Sequence, residues 1–106
     1  MNRGERRALR HYRLRGYRLV EANARAGSYE LDLVLRRGRS LLVVEVKEKR
    51  GRRFGGPLEM VDEEKARRVH TAAGAWRARH PELADLELSV EAAGVCGRRV
   101  ERVPLG

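Results

Sequence analysis

The chain has 106 residues, 42% of them hydrophobic, which suits one small domain over residues 1–106 with a modest core. Its formal net charge is +9, with arginine far in excess of lysine, and this favours a polyanionic partner because the guanidinium fork bonds phosphate bidentately. The lone Cys96 excludes an intrachain disulfide, and neither a secretory leader nor a membrane-spanning apolar run is visible, so a cytoplasmic protein without a membrane partner is expected.

A GC-rich genome or adaptation to heat would enrich arginine as well, so charge alone nominates nucleic acid and goes no further. Residues 3–15 read as a helix, with Asn2 as its cap, Glu5 three positions on and Gly16 to end it. Ala8, Leu9 and Tyr12 form one stripe, which Glu5 shares, while Arg3, Arg6, Arg7, Arg10 and Arg13 fall nearly opposite. Those arginines are candidate phosphate contacts, or a solvated face. Residues 17–22 read as a short strand, and 23–27 as a turn.

Two apolar strands joined by Arg37-Gly38-Arg39-Ser40 come next, then a basic, glycine-rich loop over 50–57 whose Arg50, Arg52 and Arg53 are further candidate phosphate contacts. Asp62 can cap a helix over 63–79, ended by Pro81, with Ala66, Val69, Ala72, Ala73 and Trp76 on its apolar stripe and Lys65 pointing the same way. Leu86, Leu88 and Val90 alternate with Glu87, Ser89 and Glu91, the pattern of a half-buried strand. Residues 94–97 read as a turn and 98–104 as a last edge strand. The order α-β-β-β-α-β-β predicts an α/β domain, a mixed sheet flanked by helices. His11, His70 and His80 lack the spacing of zinc ligands.

The hairpin carries the chemistry. Gly38 at the first central position of a two-residue turn predicts the type II′ form, and that register sets Asp32 across from Glu45 and Glu30 across from Lys47. Alternation puts these four on one face, beyond Val34 and Val43, and leaves Leu31, Leu33, Leu35, Leu42, Val44 and Val46 on the other. Facing acids repel across a strand pair, so Asp32 and Glu45 call for a positive group between them, and a hard divalent cation fits. Lys47 is placed to reach a phosphate or a water. The plain alternative is a solvated face on which Glu30 and Lys47 form a surface ion pair.

The pattern Asp32 … Glu45-Val46-Lys47 across a hairpin resembles the PD-(D/E)XK nuclease superfamily. Several pieces recur in order: Gly4-Glu5, Gly16-Tyr17, Asn23-x-Arg25, Glu30-Leu31-Asp32-Leu33, Val44-Glu45-Val46-Lys47, Phe54-Gly55-x-Pro57-x-Glu59 and Lys65. Together, over roughly residues 4–76, they resemble the uncharacterised bacterial YraN-like family, a relative of archaeal Holliday-junction resolvases. Tyr29 stands where that family usually has glycine. The resemblance implies a restriction-endonuclease-like fold and Mg²⁺- or Mn²⁺-dependent hydrolysis of phosphodiesters in structured or branched DNA, with a homodimer by analogy with the resolvases. It implies that Asp32, Glu45 and the Val46 carbonyl hold the metal, that Lys47 orients the attacking water, and that Glu5 reaches in from the first helix. Glu30 would be a further acid or the partner of Lys47, and Lys65 a phosphate contact or a side chain lying along the core. The rival expectation is a non-catalytic nucleic-acid-binding or adaptor module that keeps the fold.

Overall fold

Helix α1 (Arg3–Arg13) starts where its capping residues place it: the Asn2 side chain accepts from Glu5 N at 2.7 Å and Glu5 Oε1 accepts from Asn2 N at 3.0 Å. The computed structural model describes residues 1–49 and 62–106, and Arg50, Arg52, Arg53 and the glycine-rich loop lie outside the described residues. Strands β1 (Arg18–Ala26), β2 (Tyr29–Arg37) and β3 (Ser40–Glu48) follow, then helix α2 (Glu63–Ala78), a 3₁₀ turn (Pro81–Leu83), and strands β4 (Glu87–Cys96) and β5 (Arg99–Pro104). The α-β-β-β-α-β-β order is the one expected. The five strands form a single sheet in sequence order, antiparallel except for β3 and β4, which run parallel.

The β2–β3 register is the one turn chemistry dictates, from Arg37↔Ser40 to Leu33↔Val44. Gly38 has φ +60° and Arg39 is not in the positive-φ region, as a type II′ turn requires. Helix α2 starts at Asp62, whose carboxylate accepts from Lys65 N at 2.8 Å.

Both faces of the sheet are covered. On one, α1 lays Ala8, Leu9 and Tyr12 over Leu33, Leu35, Leu42, Val44, Ala93 and Val95. On the other, α2 lays Val69, Ala72, Ala73 and Trp76 over Val34, Leu41, Val43, Val90 and Ala92. The face expected to carry only charges beyond Val34 and Val43 is therefore half core, and it is not a solvated surface.

Four details depart from the sequence reading. Residues 23–26 belong to β1, and the turn falls at Gly27 (φ +66°), so Asn23 (φ +51°) bends a strand that continues through it. Likewise β4 runs through Gly94 to Cys96, and Gly97 (φ +59°) takes the turn. Glu91, expected on a solvent-facing set, is only 9% exposed, because Tyr12 Oη donates to its Oε1 at 2.5 Å and Arg102 Nε reaches the same oxygen at 2.5 Å. Leu31 joins the α2-side core, although Leu33 and Leu35 pack toward α1. A parallel change occurs on β1, where Ala22 packs toward α1 and Ala24 toward α2. Strict alternation would keep each pair on one face, so the β1–β2 ribbon rolls over at the level of Asn23 and Asp32.

Candidate active site

That roll opens the sheet. Pairing between β2 and β3 stops at Leu33↔Val44, while β3 continues from Glu45 to Glu48 alongside β4 only. The ladder position lost at the fork is taken by a side chain: Asp32 Oδ2 accepts from Val46 N at 2.7 Å. Asp32 and Glu45 thus stand at the root of a notch, Asp32 half-buried and Glu45 only 8% exposed. Burial first, and then the charge of Glu45, push the Asp32 carboxyl up to about 7, against the opposing pull of the Val46 N–H. Glu5 and Glu30 add smaller repulsions.

Cations close the notch from the α2 side. Lys65 Nζ lies 3.1 Å from Glu45 Oε1, and Lys47 projects beside it. The proximity of Lys65, followed by burial, lowers Lys47 below the usual lysine range. Lys65 is therefore a partner of Glu45, and its long stem does more than cover core. Tyr29 is half-buried against the α2-side core, and burial first, then Glu45, raise its phenol above the ordinary range. Its side chain therefore borders the acids.

From the α1 side comes Glu5, 6% exposed. Its two readings turn out to be compatible, since it closes the capping box and also takes both of its oxygens to Asn23 Nδ2 at 3.3 Å. The same amide donates to Glu30 Oε1 at 3.2 Å. Glu30 therefore pairs with Asn23, and no ion pair joins it to Lys47. Asn23 is the site residue that sequence reasoning missed. Its signal was an asparagine followed by apolar alternation, which reads as a turn but also suits a left-handed residue inside a bent strand.

The donor set is two carboxylates in a sheltered notch, hard oxygens of the kind Mg²⁺ or Mn²⁺ prefers. Among the described residues no group of three His, Cys, Asp or Glu side chains converges at metal-binding distance. Mg²⁺ does not need three, since it commonly takes one or two carboxylates and completes its shell with water. The notch thus fits such an ion.

Of the expected phosphate contacts, Arg3, Arg6, Arg10 and Arg13 are exposed along the outer side of α1, while Arg7 is half-buried and bonds Gly97 O at 2.8 Å. No helix among the described residues is long and apolar enough to cross a membrane.

A model of the uncharacterised protein family UPF0102 matches residues 4–101. The chain belongs to that family. Among UPF0102 proteins it is 44% identical over 80 residues to one from Clavibacter michiganensis, covering 76% of this chain and 68% of that protein. It is 42% identical over 79 residues to one from Alkalilimnicola ehrlichii, covering 74% and 63%. It is 38% identical over 92 residues to one from Renibacterium salmoninarum, covering 87% and 77%. The UPF0102 match runs from Gly4 near the start of α1 through the strands to Glu101, and so spans the residues of the notch.

Proposed function

We propose that the protein is a divalent-metal-dependent endonuclease of the restriction-endonuclease-like class, hydrolysing phosphodiester bonds in structured or branched DNA. The observation that supports this is the meeting of Asp32 and Glu45 at a break in the sheet, with Lys47 and Lys65 on the same side. Asp32, oriented by Val46 N, and Glu45 would hold Mg²⁺ or Mn²⁺, with the Val46 carbonyl as a third oxygen. The bound cation would acidify water and offset charge on the phosphoryl oxygens. Lys47, carrying a lowered pKa, orients the attacking water, and Lys65 exchanges Glu45 for a phosphate oxygen as DNA arrives. Glu5 and Asn23 brace the far wall. The resemblance to resolvases extends the proposal to a homodimer acting on a four-way junction.

A second reading has one specific observation in its favour. Lys65 already neutralises Glu45 at 3.1 Å, so the notch can be a charge-balanced structural feature of a non-catalytic nucleic-acid-binding or adaptor module. A cleavage panel separates the two: duplex, flap and four-way junction DNA with Mg²⁺ or Mn²⁺, and Glu45→Ala as control. Metal-dependent cutting by the parent and none by the folded variant supports the nuclease. A folded parent that cuts none of these substrates rejects it in favour of the module, whose salt-sensitive DNA binding would be unchanged by Asp32→Asn.

A further inference from the structure

A second concavity lies away from the notch, between the C-terminal half of α1 and the β4–β5 turn. It has a volume of about 530 Å³, and Arg7, Arg10, Arg15 and Arg98 converge on it around His11. Leu14 and Val100 complete the lining, so no acid borders it. Ion pairs among the described residues fall on Lys65, Arg99 and Arg102, and none on these four arginines. Two of the four are fixed by neutral carbonyls, Arg7 Nη1 to Gly97 O and Arg15 Nη1 to His11 O, each at 2.8 Å. Each fork keeps its other N–H groups for a ligand. At the base of the cleft sits His11, whose Nε2 is buried and has no hydrogen-bond partner, the sole such side-chain atom among the described residues. The rest of the ring lines the floor of the cleft, beneath the guanidiniums. Burial first, and then Arg15 and Arg102, lower the His11 pKa against a smaller opposing pull from Glu91, in keeping with the positive surroundings of the cleft.

We propose that this cleft is a phosphodiester seat for a nucleic-acid strand, in which Arg7, Arg10, Arg15 and Arg98 surround the phosphate over the His11 ring. Four uncompensated guanidiniums match the planar, bidentate recognition of phosphate, and they supply fixed charge without reading sequence. The seat lies on the same helix that delivers Glu5 to the notch. The inference rests on the functional reading only in taking nucleic acid as the partner, and it stands whether or not the notch cuts.

The test is fluorescence anisotropy of the full chain with a labelled single-stranded oligonucleotide and a labelled duplex, in EDTA, over a series of salt concentrations. Arg10→Glu/Arg98→Glu is compared with Arg18→Glu/Arg67→Glu, which changes net charge equally on exposed residues outside the cleft. Neither the Arg10 nor the Arg98 guanidinium has a hydrogen bond or ion pair among the described residues, and Arg10→Gln/Arg98→Gln serves as a milder second variant. The cleft reversal should weaken binding more than 10-fold at ~100 mM salt, and the milder pair should lower the salt slope by about two. The control should change affinity less than 3-fold. In parallel, the His11 side-chain ¹⁵N resonances should shift when the oligonucleotide binds. Equal weakening by both reversals, static His11 resonances at saturation, or equally tight cleft-dependent binding of polyglutamate would each overturn the assignment. Cleft-dependent binding without cleavage on the panel above would sink the nuclease reading alone. Cleavage with binding indifferent to the cleft reversal would sink this one alone.

Discussion

Replacing Asp32 by asparagine should stabilise the protein at alkaline pH and do little at acid pH, measured without divalent metal. The carboxyl rises from 3.8 to about 7 on folding, so between those values the native state binds more protons than the unfolded chain. Stability therefore falls as pH rises through that window, and the penalty is complete above it. At about 1.36 kcal/mol per pH unit the full shift corresponds to about 4 kcal/mol. Asp32 is only half-buried, and solvent screening brings the expected gain down to about 1–2 kcal/mol. Asparagine keeps an oxygen for Val46 N, so the bond at 2.7 Å survives while the repulsion from Glu45 goes. Urea titrations at pH 4 and pH 8.5 read the effect directly. Adding Mg²⁺ at pH 8 should raise the melting temperature of the parent and leave the variant where it is, because an ion that binds the native state stabilises it by mass action. A variant that is less stable than the parent at both pH values would refute this account of the notch, and so would a gain that is the same at both.

Tyr12→Phe should cost about 1–3 kcal/mol in urea titration, because it leaves the buried Glu91 without one of its two partners. Gly38→Ala should cost about 1–2 kcal/mol in the same assay, since alanine at φ +60° is strained although nothing lies within 4 Å of the added carbon. Other L-residues of ordinary size at this turn should cost closely similar amounts, with Gly38→Asn the mildest.

The parts of the fold that follow from near neighbours in the chain could be read in advance. Asn2 with Glu5, Asp62 with Lys65, and Gly38 at its turn each fix an element through contacts three residues apart or fewer; those elements are found, and the hairpin keeps the expected register from Arg37↔Ser40 to Leu33↔Val44 but not beyond. What resisted reading depends on distant partners. Glu91 is buried because Tyr12 and Arg102 come to it, and nothing in its own alternating strand announces them. The roll of the β1–β2 ribbon at Asn23 and Asp32 is likewise set by packing beneath α2, so the periodicity that placed Leu31 beside Leu33 failed there. The turn brings Asp32 and Glu45 near each other, but the ladder ends one pair short of them, at Leu33↔Val44, and Asp32 accepts from Val46 N instead of facing Glu45 in register. The surroundings of the two acids were not legible: Asn23 reads locally as a turn residue, and Lys65 reads locally as one lysine on an apolar stripe.

The parallel pairing of β3 with β4 also shapes the order in which this protein assembles. Arg37 meets Ser40 across a turn of two residues, whereas Ser40 meets Glu87 only after 47 residues of chain. Loop closure over the longer span costs about 2 kcal/mol more, so the three-stranded meander is the natural folding nucleus and β4 docks late. Helix α2 belongs to the returning segment, which means Glu45 acquires Lys65 only when that segment arrives. Until then the nascent hairpin holds its two acids open to water, and it is the closing of the sheet that turns a pair of exposed carboxylates into a sheltered corner.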